Sequence, residues 1–410
     1  MQKTSTYIYV VAASIGCTSS IYFLSLCLHI PFIVSCIANL AIVYLIAKWM
    51  MRLKTVNEEH TNPLKYAVLL YGLFSIAYEA PNVAGKHGAW DAWAIWNLHA
   101  GYLLDSTHWE NMFLNTYAAH ADYPLALPAS IALIHRLIGD GIWLNYLFHI
   151  IIAICIPAII YLQTYKRAWL LSAIAFLLLC KDEFYITLAT YQMADTLIAF
   201  FLLLAMIAID NIESDKRFRI VSATMLGCCI WTKNEGIVLA LLFLLFFYTE
   251  LLYKKAYRDT LIGFALPLTA YFIFKIGFAT QNDIMESQNS STLSLFTKPE
   301  RYRLIFTAWK ESINMHYYTI GCTVAFCILV AVIRGKLPDR RINFILAACI
   351  AYSAVYMISP HDLSWHLMTS IDRLIHQLMP ASIYACVVYL TSSSFFNFRA
   401  RFVTNQQSPA

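Results

Sequence analysis

The chain has 410 residues, of which 60% are hydrophobic and only 13% are charged. Soluble proteins average about 45–50% apolar and about 25% charged residues, so this composition excludes a disordered protein, a water-soluble enzyme and a nucleic-acid-binding module. The net charge of +5 and the mean hydropathy of +0.60 are typical of a polytopic membrane protein, in which excess basic residues mark loops. The apolar runs are continuous rather than alternating, which excludes a porin-like barrel.

The hydrophobic pattern predicts an all-α protein with about twelve transmembrane helices. A further apolar segment at 124–138 is short and carries His135 and Arg136, so it is either a thirteenth span or a re-entrant helix. The predicted spans lie at about 6–28, 30–50, 65–80, 141–163, 168–184, 190–210, 219–232, 236–253, 259–278, 316–333, 342–359 and 374–392.

The lysine and arginine residues between these spans decide the predicted topology. If 124–138 does not cross the membrane, every basic cluster falls on one side, which the positive-inside rule makes the cytoplasmic side. We therefore expect a re-entrant or interfacial helix at 124–138, with both chain termini in the cytoplasm. The outer side then contains two long loops, 81–123 and 279–315. The 299–315 part of the second loop is amphipathic and is predicted to lie flat on the outer surface.

A tryptophan-rich segment in the first outer loop contains the first candidate site residue. Trp90, Trp93 and Trp96 recur every third residue, which predicts one face of a helix lying among the lipid headgroups. Asp91 lies among them at the boundary between water and lipid. A carboxylate beside apolar walls is suited to act as a general base; the alternative is a helix cap or a solvated surface residue.

Further acidic residues cluster on the same outer side. His120 and Asp122 precede Pro124 and are compatible with a metal or phosphate contact, or with a cap on the helix that follows. Asp195 opens a later apolar span, where the helix dipole favours an acid, although a carboxylate at membrane depth is also a candidate for function. Asp182 and Glu183 lie in the loop before that span.

Basic residues are also among the candidate site residues on the predicted outer side. In the short turn 231–236, Lys233 is suited to hold a phosphate and Glu235 to pair with it, with a purely local ion pair as the alternative. In the segment 359–373, helical spacing places His366 and Arg373 on one face, again suited to anchor a phosphate. The alternative for Arg373 is a simple interface anchor.

In their order and common outer side, these motifs resemble the GT-C superfamily of membrane glycosyltransferases. Its members include protein O-mannosyltransferases, the lipid A aminoarabinose transferase and bacterial lipopolysaccharide-core transferases. The resemblance covers about residues 65–260, and the segment from Trp365 through Arg373, with Gln377 and Pro380, is similar to that of some bacterial members. It divides the chain into an N-terminal helix pair (1–64), a catalytic core (65–260) and C-terminal transmembrane helices (261–410).

The resemblance implies a reaction and roles for the residues. Asp91 matches the catalytic base, and Asp195 best matches the second acidic position, with Asp182 and Glu183 as neighbours. The donor would be a polyprenyl-phosphate-linked sugar and the acceptor a glycolipid or glycan, with no nucleic acid as partner. The expected location is a bacterial inner membrane with the site facing the periplasm. The family's acidic pair is reduced here to the single Asp91, so no metal ligand set is predicted and a divalent cation stays an open question.

Three other functions stay open at this stage. A flippase for lipid-linked sugars would need polar residues along a path through the membrane and often shows internal repeats, whereas the acids here lie on one side. An O-antigen ligase or polymerase would rely on a large late outer loop. The third alternative is a non-catalytic assembly protein.

Overall fold

The computed structural model describes residues 3–53, 63–83, 85–114, 118–278, 288, 292–333 and 338–392. These residues form an all-helical protein, and no β-strand occurs among them. The helices before the first outer loop are α1 (Lys3–Cys27), α2 (Phe32–Met50) and α3 (Pro63–Val83). The loop itself contains a π-helical turn (Ala92–Trp96), α4 (Asn97–Leu104) and a 3₁₀ turn (Trp109–Phe113).

The rest of the chain continues this pattern. The middle helices are α5 (Ala126–Ile138), α6 (Ile142–Thr164), α7 (Trp169–Lys181), α8 (Glu183–Thr190), α9 (Ala194–Asn211), α10 (Phe218–Thr232), α11 (Glu235–Phe246), α12 (Tyr248–Leu251) and α13 (Ala256–Gly277). The C-terminal helices are α14 (Thr292–Leu295), α15 (Pro299–His316), α16 (Tyr318–Ile333), α17 (Arg340–Met357) and α18 (Leu363–Thr391).

Within the described ranges, six helices are long and apolar enough to cross a bilayer: α1, α2, α6, α9, α13 and α18. Helices α15 and α16 would form a seventh as one span bent by 111°. The twelve predicted spans are not confirmed, because several of them coincide with shorter helices. Helices α7 and α11 contain 13 and 12 residues; at about 1.5 Å per residue they reach about 20 Å, less than the roughly 30 Å of a hydrocarbon core.

Helix α9 is the centre of the bundle. All its residues from Ala194 to Ile209 are buried, and it packs against α6, α10 and α18. A helix that is apolar on every side is stable only when other helices surround it. Its first turn carries Asp195, so the fold fixes this carboxylate in the bundle core at the N-terminal end of α9.

Aromatic side chains fix the first outer loop to the helices below it. The fully buried Trp109 ring lies 5.7 Å from Phe23 of α1 and 4.8 Å from Phe278, which follows α13, measured between ring centroids. Phe23 also contacts Trp231 at the end of α10, with centroids 5.1 Å apart. Such pairs contribute about 0.5–1.5 kcal/mol each beyond their area burial, so the loop is a packed layer.

Two further outer elements cover the bundle. Helix α5 lies within the segment 124–138, and its residues Ala126 to Leu133 are all buried against α1, α4, α6 and α10. The bent pair α15–α16 packs its amphipathic first half on α18, where the Tyr317 hydroxyl donates to the Asp372 carbonyl over 2.9 Å. The outer loop 279–315 is described only at 288 and from 292 onward.

Candidate functional site

Asp91 pairs with Arg373 across 282 residues of sequence. The Asp91 carboxylate makes no capping hydrogen bond at the start of the π-helical turn and instead accepts from Arg373 Nη1. Both side chains are 21% exposed, so solvent reaches the pair. Turns of π-helix are rare and often occur at functional sites.

The π-helical turn also changes the predicted arrangement of the tryptophans. Trp90 and Trp93 are 56% and 57% exposed, but Trp96 is buried and stacks on Tyr123 with ring centroids 5.6 Å apart. Because a π-helix has more residues per turn than an α-helix, residues spaced by three no longer share one face. Only two of the three tryptophans are therefore placed to reach a lipid headgroup layer.

A second ion pair lies deeper in the bundle. Lys233 follows the end of α10 and places its ammonium 3.0 Å from Asp195 Oδ1, with side chains 3% and 2% exposed. Gln377 Nε2 donates to the same Asp195 oxygen over 2.6 Å. The Tyr352 hydroxyl donates to Gln377 Oε1 over 2.6 Å, which fixes the amide so that its N–H groups face the acid.

The surroundings of Lys233 keep it charged. Glu235 Oε1 lies 3.2 Å from the Lys233 ammonium, and the Tyr123 ring centroid lies 5.8 Å away. Burial disfavours the ammonium, but the carboxylates of Asp195 and Glu235 outweigh burial and raise the pKa of Lys233 above its ordinary value. The interaction with Glu235 is local, as the sequence suggested, but Asp195 connects Lys233 to another helix.

One helix joins the two ion pairs. Arg373 and Gln377 lie one turn apart on α18, and Met193, just before α9, has its sulfur 3.8 Å from Arg373 Nη1. We call the combined set the polar cluster: Asp91, Asp195, Lys233, Glu235, Arg373 and Gln377.

Asp122 and His120 lie at the edge of the polar cluster. The Asp122 carboxylate accepts from Asn234 Nδ2 over 2.8 Å, and its carbonyl accepts from Lys275 Nζ over 2.5 Å. Helix α5 begins without a side-chain cap, so Asp122 does not have the capping role considered from the sequence. His120 stacks on Tyr123, with ring centroids 4.7 Å apart.

Three other candidate residues make separate contacts. Asp182 Oδ1 accepts from the Tyr185 backbone N–H over 2.6 Å and caps α8. Glu183 is exposed in the first turn of that helix. His366 Nδ1 lies 2.7 Å from Ser359 Oγ, two turns before Arg373 on α18.

The polar cluster retains capacity for a ligand. Among the residues that the structure describes, Asp195 Oδ2, Glu235 Oε2 and Arg373 Nε are buried and have no hydrogen-bond partner. Buried polar atoms normally have one, so these atoms have hydrogen-bonding capacity that the described protein groups do not use. In the same described ranges, no group of three or more His, Cys, Asp or Glu residues is placed to hold a metal ion.

An apolar groove of about 660 Å³ lies among the C-terminal helices. On α18 its lining includes Ile375, Leu378, Met379 and Ser382, and α15 contributes Phe306 and Trp309. Helices α16 and α17 form its other walls. Arg373 and Gln377 lie on another side of α18, so the same helix carries part of the polar cluster and one wall of the groove.

No protein family model, curated protein or solved structure matches this chain. The chemistry of the site must therefore carry the argument for function.

No sequence pattern indicated Tyr352 as a site residue, and Gln377 was named only in the family resemblance. Both are polar residues within otherwise apolar helices. Such residues turn inward and find partners in a helical membrane protein, and this signal was available in the sequence. Which partners they find depends on the helix packing.

Proposed function

We propose that the protein is a membrane glycosyltransferase that moves a sugar from a polyprenyl-phosphate donor to an acceptor hydroxyl on the outer side of the membrane. The observation that carries this proposal is the pairing of the Asp91 carboxylate with Arg373, on the helix that also forms one wall of the apolar groove. Helix α18 thus connects a base and a cation for a phosphate with a groove suited to a lipid chain.

The donor would bind both to the polar cluster and to the apolar groove. Arg373 and Lys233 supply positive charge for its phosphate through charge-assisted hydrogen bonds, and the apolar groove accepts the first isoprene units of its chain. Asp195 and Gln377 act as positioning residues in this scheme, because they hold Lys233 and α18 in a fixed relation. His366 lies on the same helix, where its role is to support the outer end of α18 through Ser359.

Donor binding would also release the base. A phosphate that binds Arg373 competes with Asp91 for the guanidinium, so the carboxylate turns from ion-pair partner to proton acceptor. Asp91 then removes the proton of the acceptor hydroxyl, and the oxygen attacks the anomeric carbon opposite the phosphate. The bond from this carbon to the phosphate oxygen breaks, the configuration inverts, and Arg373 and Lys233 stabilise the departing lipid phosphate.

The finer architecture belongs to the same proposal. We infer a GT-C type fold in which shorter apolar helices join the six long ones to give about twelve spans, with the catalytic core at 65–260. Both termini would be cytoplasmic and the polar cluster would face the periplasm of a bacterial inner membrane. The acceptor would be a glycolipid or lipopolysaccharide, and a divalent cation that assists the donor phosphate stays compatible with Asp91 acting as the base.

A turnover assay in detergent tests the proposal against the flippase alternative. Purified protein is incubated with a radiolabelled panel of polyprenyl-phosphate sugars and a membrane lipid extract, and the lipid phosphate released is measured. An enzyme consumes donor in a single compartment, and we expect release that depends on the extract. A protein that binds these donors, leaves them intact in detergent and moves them across a vesicle membrane would be a flippase.

A further inference from the structure

A second cleft borders the first outer loop and has no role in the donor site. Its volume is about 580 Å³, within the range of about 300–1,000 Å³ usual for small-molecule sites. Its polar and aromatic lining comprises His87, Trp93, Asn97, His135, Asp140 and Asn145. We call it the amide cleft.

A directed hydrogen-bond chain crosses the amide cleft. Gln192 Nε2 donates to the Lys86 carbonyl over 2.7 Å, Asn97 Nδ2 donates to Gln192 Oε1 over 3.1 Å, and Asn145 Nδ2 donates to Asn97 Oδ1 over 3.0 Å. Because the Lys86 carbonyl only accepts, it fixes the orientation of the first amide. Each amide then fixes the next.

The same order of donors and acceptors continues from Asn145 to the mouth of the cleft. Asn145 Oδ1 is the acceptor left for His135 Nε2, 2.6 Å away, so this nitrogen donates. His135 Nδ1 lies 3.0 Å from Asp140 Oδ1, and the Asp140 side chain is 86% exposed. An ordered row of amide, imidazole and carboxylate groups therefore runs from the buried Gln192 to the exposed Asp140.

The amides in this row have unused capacity. An amide side chain offers two N–H donors and two acceptor lone pairs. Asn97 uses one donor and one acceptor in the chain, and so does Asn145. Each keeps one donor and one acceptor, in an orientation set before any ligand arrives.

Adjacent sugar hydroxyls match this arrangement. Each hydroxyl donates once and accepts twice, so neighbouring hydroxyls on a pyranose pair well with amides that both donate and accept. Trp93 adds an exposed indole ring at the same cleft, against which the C–H face of a sugar can pack. A pocket with one aromatic wall and a few fixed polar groups is the usual form of a small-ligand site.

We propose that the amide cleft binds a sugar ring of the acceptor, an inference that rests on the proposed transfer function. The cleft and the polar cluster share two segments of chain. Trp93 lies two residues after Asp91, and Gln192 precedes Met193, whose sulfur contacts Arg373. A sugar held on Trp93 and Asn97 is thus bound by the segment that begins at the proposed base, on elements different from those that line the apolar groove. The acceptor class is a glycan or glycolipid whose receiving hydroxyl belongs to a pyranose.

Binding of methyl glycosides tests the inference without any transfer. A panel of methyl pyranosides is titrated against the full-length protein, with saturation-transfer NMR as the readout and a Kd on the order of 1 mM expected for so small a ligand. The detergent must lack a sugar headgroup, because an alkyl maltoside would occupy the cleft. Trp93→Ala and Asp140→Ala are the test variants. Trp169→Ala is the control, since Trp169 is similarly exposed but does not line the cleft.

The expected result is that wild type and Trp169→Ala bind at least one methyl pyranoside, while Trp93→Ala binds at least about tenfold more weakly and Asp140→Ala is also weakened. The three altered side chains are exposed, so all variants are expected to fold with unchanged melting temperatures. Absence of binding by wild type, or equal binding by Trp93→Ala and Trp169→Ala, would overturn the inference. Trp93-dependent binding without donor turnover would instead retain the sugar site and reject the transferase.

Discussion

Replacing Lys233 by methionine tests the buried half of the polar cluster. The Lys233 ammonium and Asp195 Oδ1 are 3.0 Å apart, and both side chains are at most 3% exposed. Removing one member of a buried ion pair costs about 3–5 kcal/mol, because the other charge stays buried without compensation. Gln377 still donates to Asp195 over 2.6 Å, so we expect the lower end, about 3 kcal/mol.

This loss is measured by thermal unfolding in detergent. At roughly 2–4 °C per kcal/mol for domains of moderate size, the apparent Tm of Lys233→Met should fall by about 6–12 °C. Lys310→Met is the control, because Lys310 is exposed on α15. The double variant Lys233→Met/Asp195→Asn should recover part of the loss, since it removes the uncompensated charge. A Tm equal to that of the control, or strictly additive losses, would refute the reasoning.

Three further predictions concern other parts of the molecule. Arg373→Lys keeps the charge but loses the planar fork, so donor turnover should fall at least about tenfold with an unchanged Tm. Asp210→Asn removes one of the two carboxylates paired with Arg341, the other being Asp339. It also changes the acceptor of the Tyr384 hydroxyl, which is 2.6 Å away, and should lower the Tm by several degrees without changing turnover per folded molecule. Trp109→Ala removes a fully buried ring at a cost of about 3–5 kcal/mol and should expose the first outer loop to limited proteolysis. Wild-type turnover by Arg373→Lys, a wild-type Tm for Asp210→Asn, or wild-type protease resistance of Trp109→Ala would contradict the corresponding prediction.

The sequence identified elements better than it identified contacts. Hydrophobic runs predicted the positions of α1, α6, α9 and α13 because burial in a helical bundle requires apolar residues throughout. The same runs predicted about twelve spans, but some helices are shorter than the apolar runs: α7 ends at Lys181, where Lys181, Asp182 and Glu183 interrupt the predicted 168–184 span. Helix length depends on caps and packing, which single residues only suggest.

For the candidate site, the sequence marked the polar residues but not their pairing. Asp91, Asp195, Lys233 and Arg373 stood out because charges are rare in this chain. Their pairing across 282 and 38 residues depends on how α10 and α18 pack around α9 and meet the first outer loop, which no local pattern encodes. The row of amides through Asn145 was missed for the same reason, as an asparagine near the start of an apolar helix has no distinctive spacing.

The most direct test of the central claim compares Asp91→Asn with wild type in donor turnover, with Glu110→Gln as the control because Glu110 is an exposed acid in the same outer loop. If Asp91 is the general base, Asp91→Asn should bind the lipid-linked donor, since Arg373 is freed for the phosphate, yet release lipid phosphate at least about 100-fold more slowly. Glu110→Gln should match wild type. Near-normal turnover by Asp91→Asn would contradict the assignment of the base.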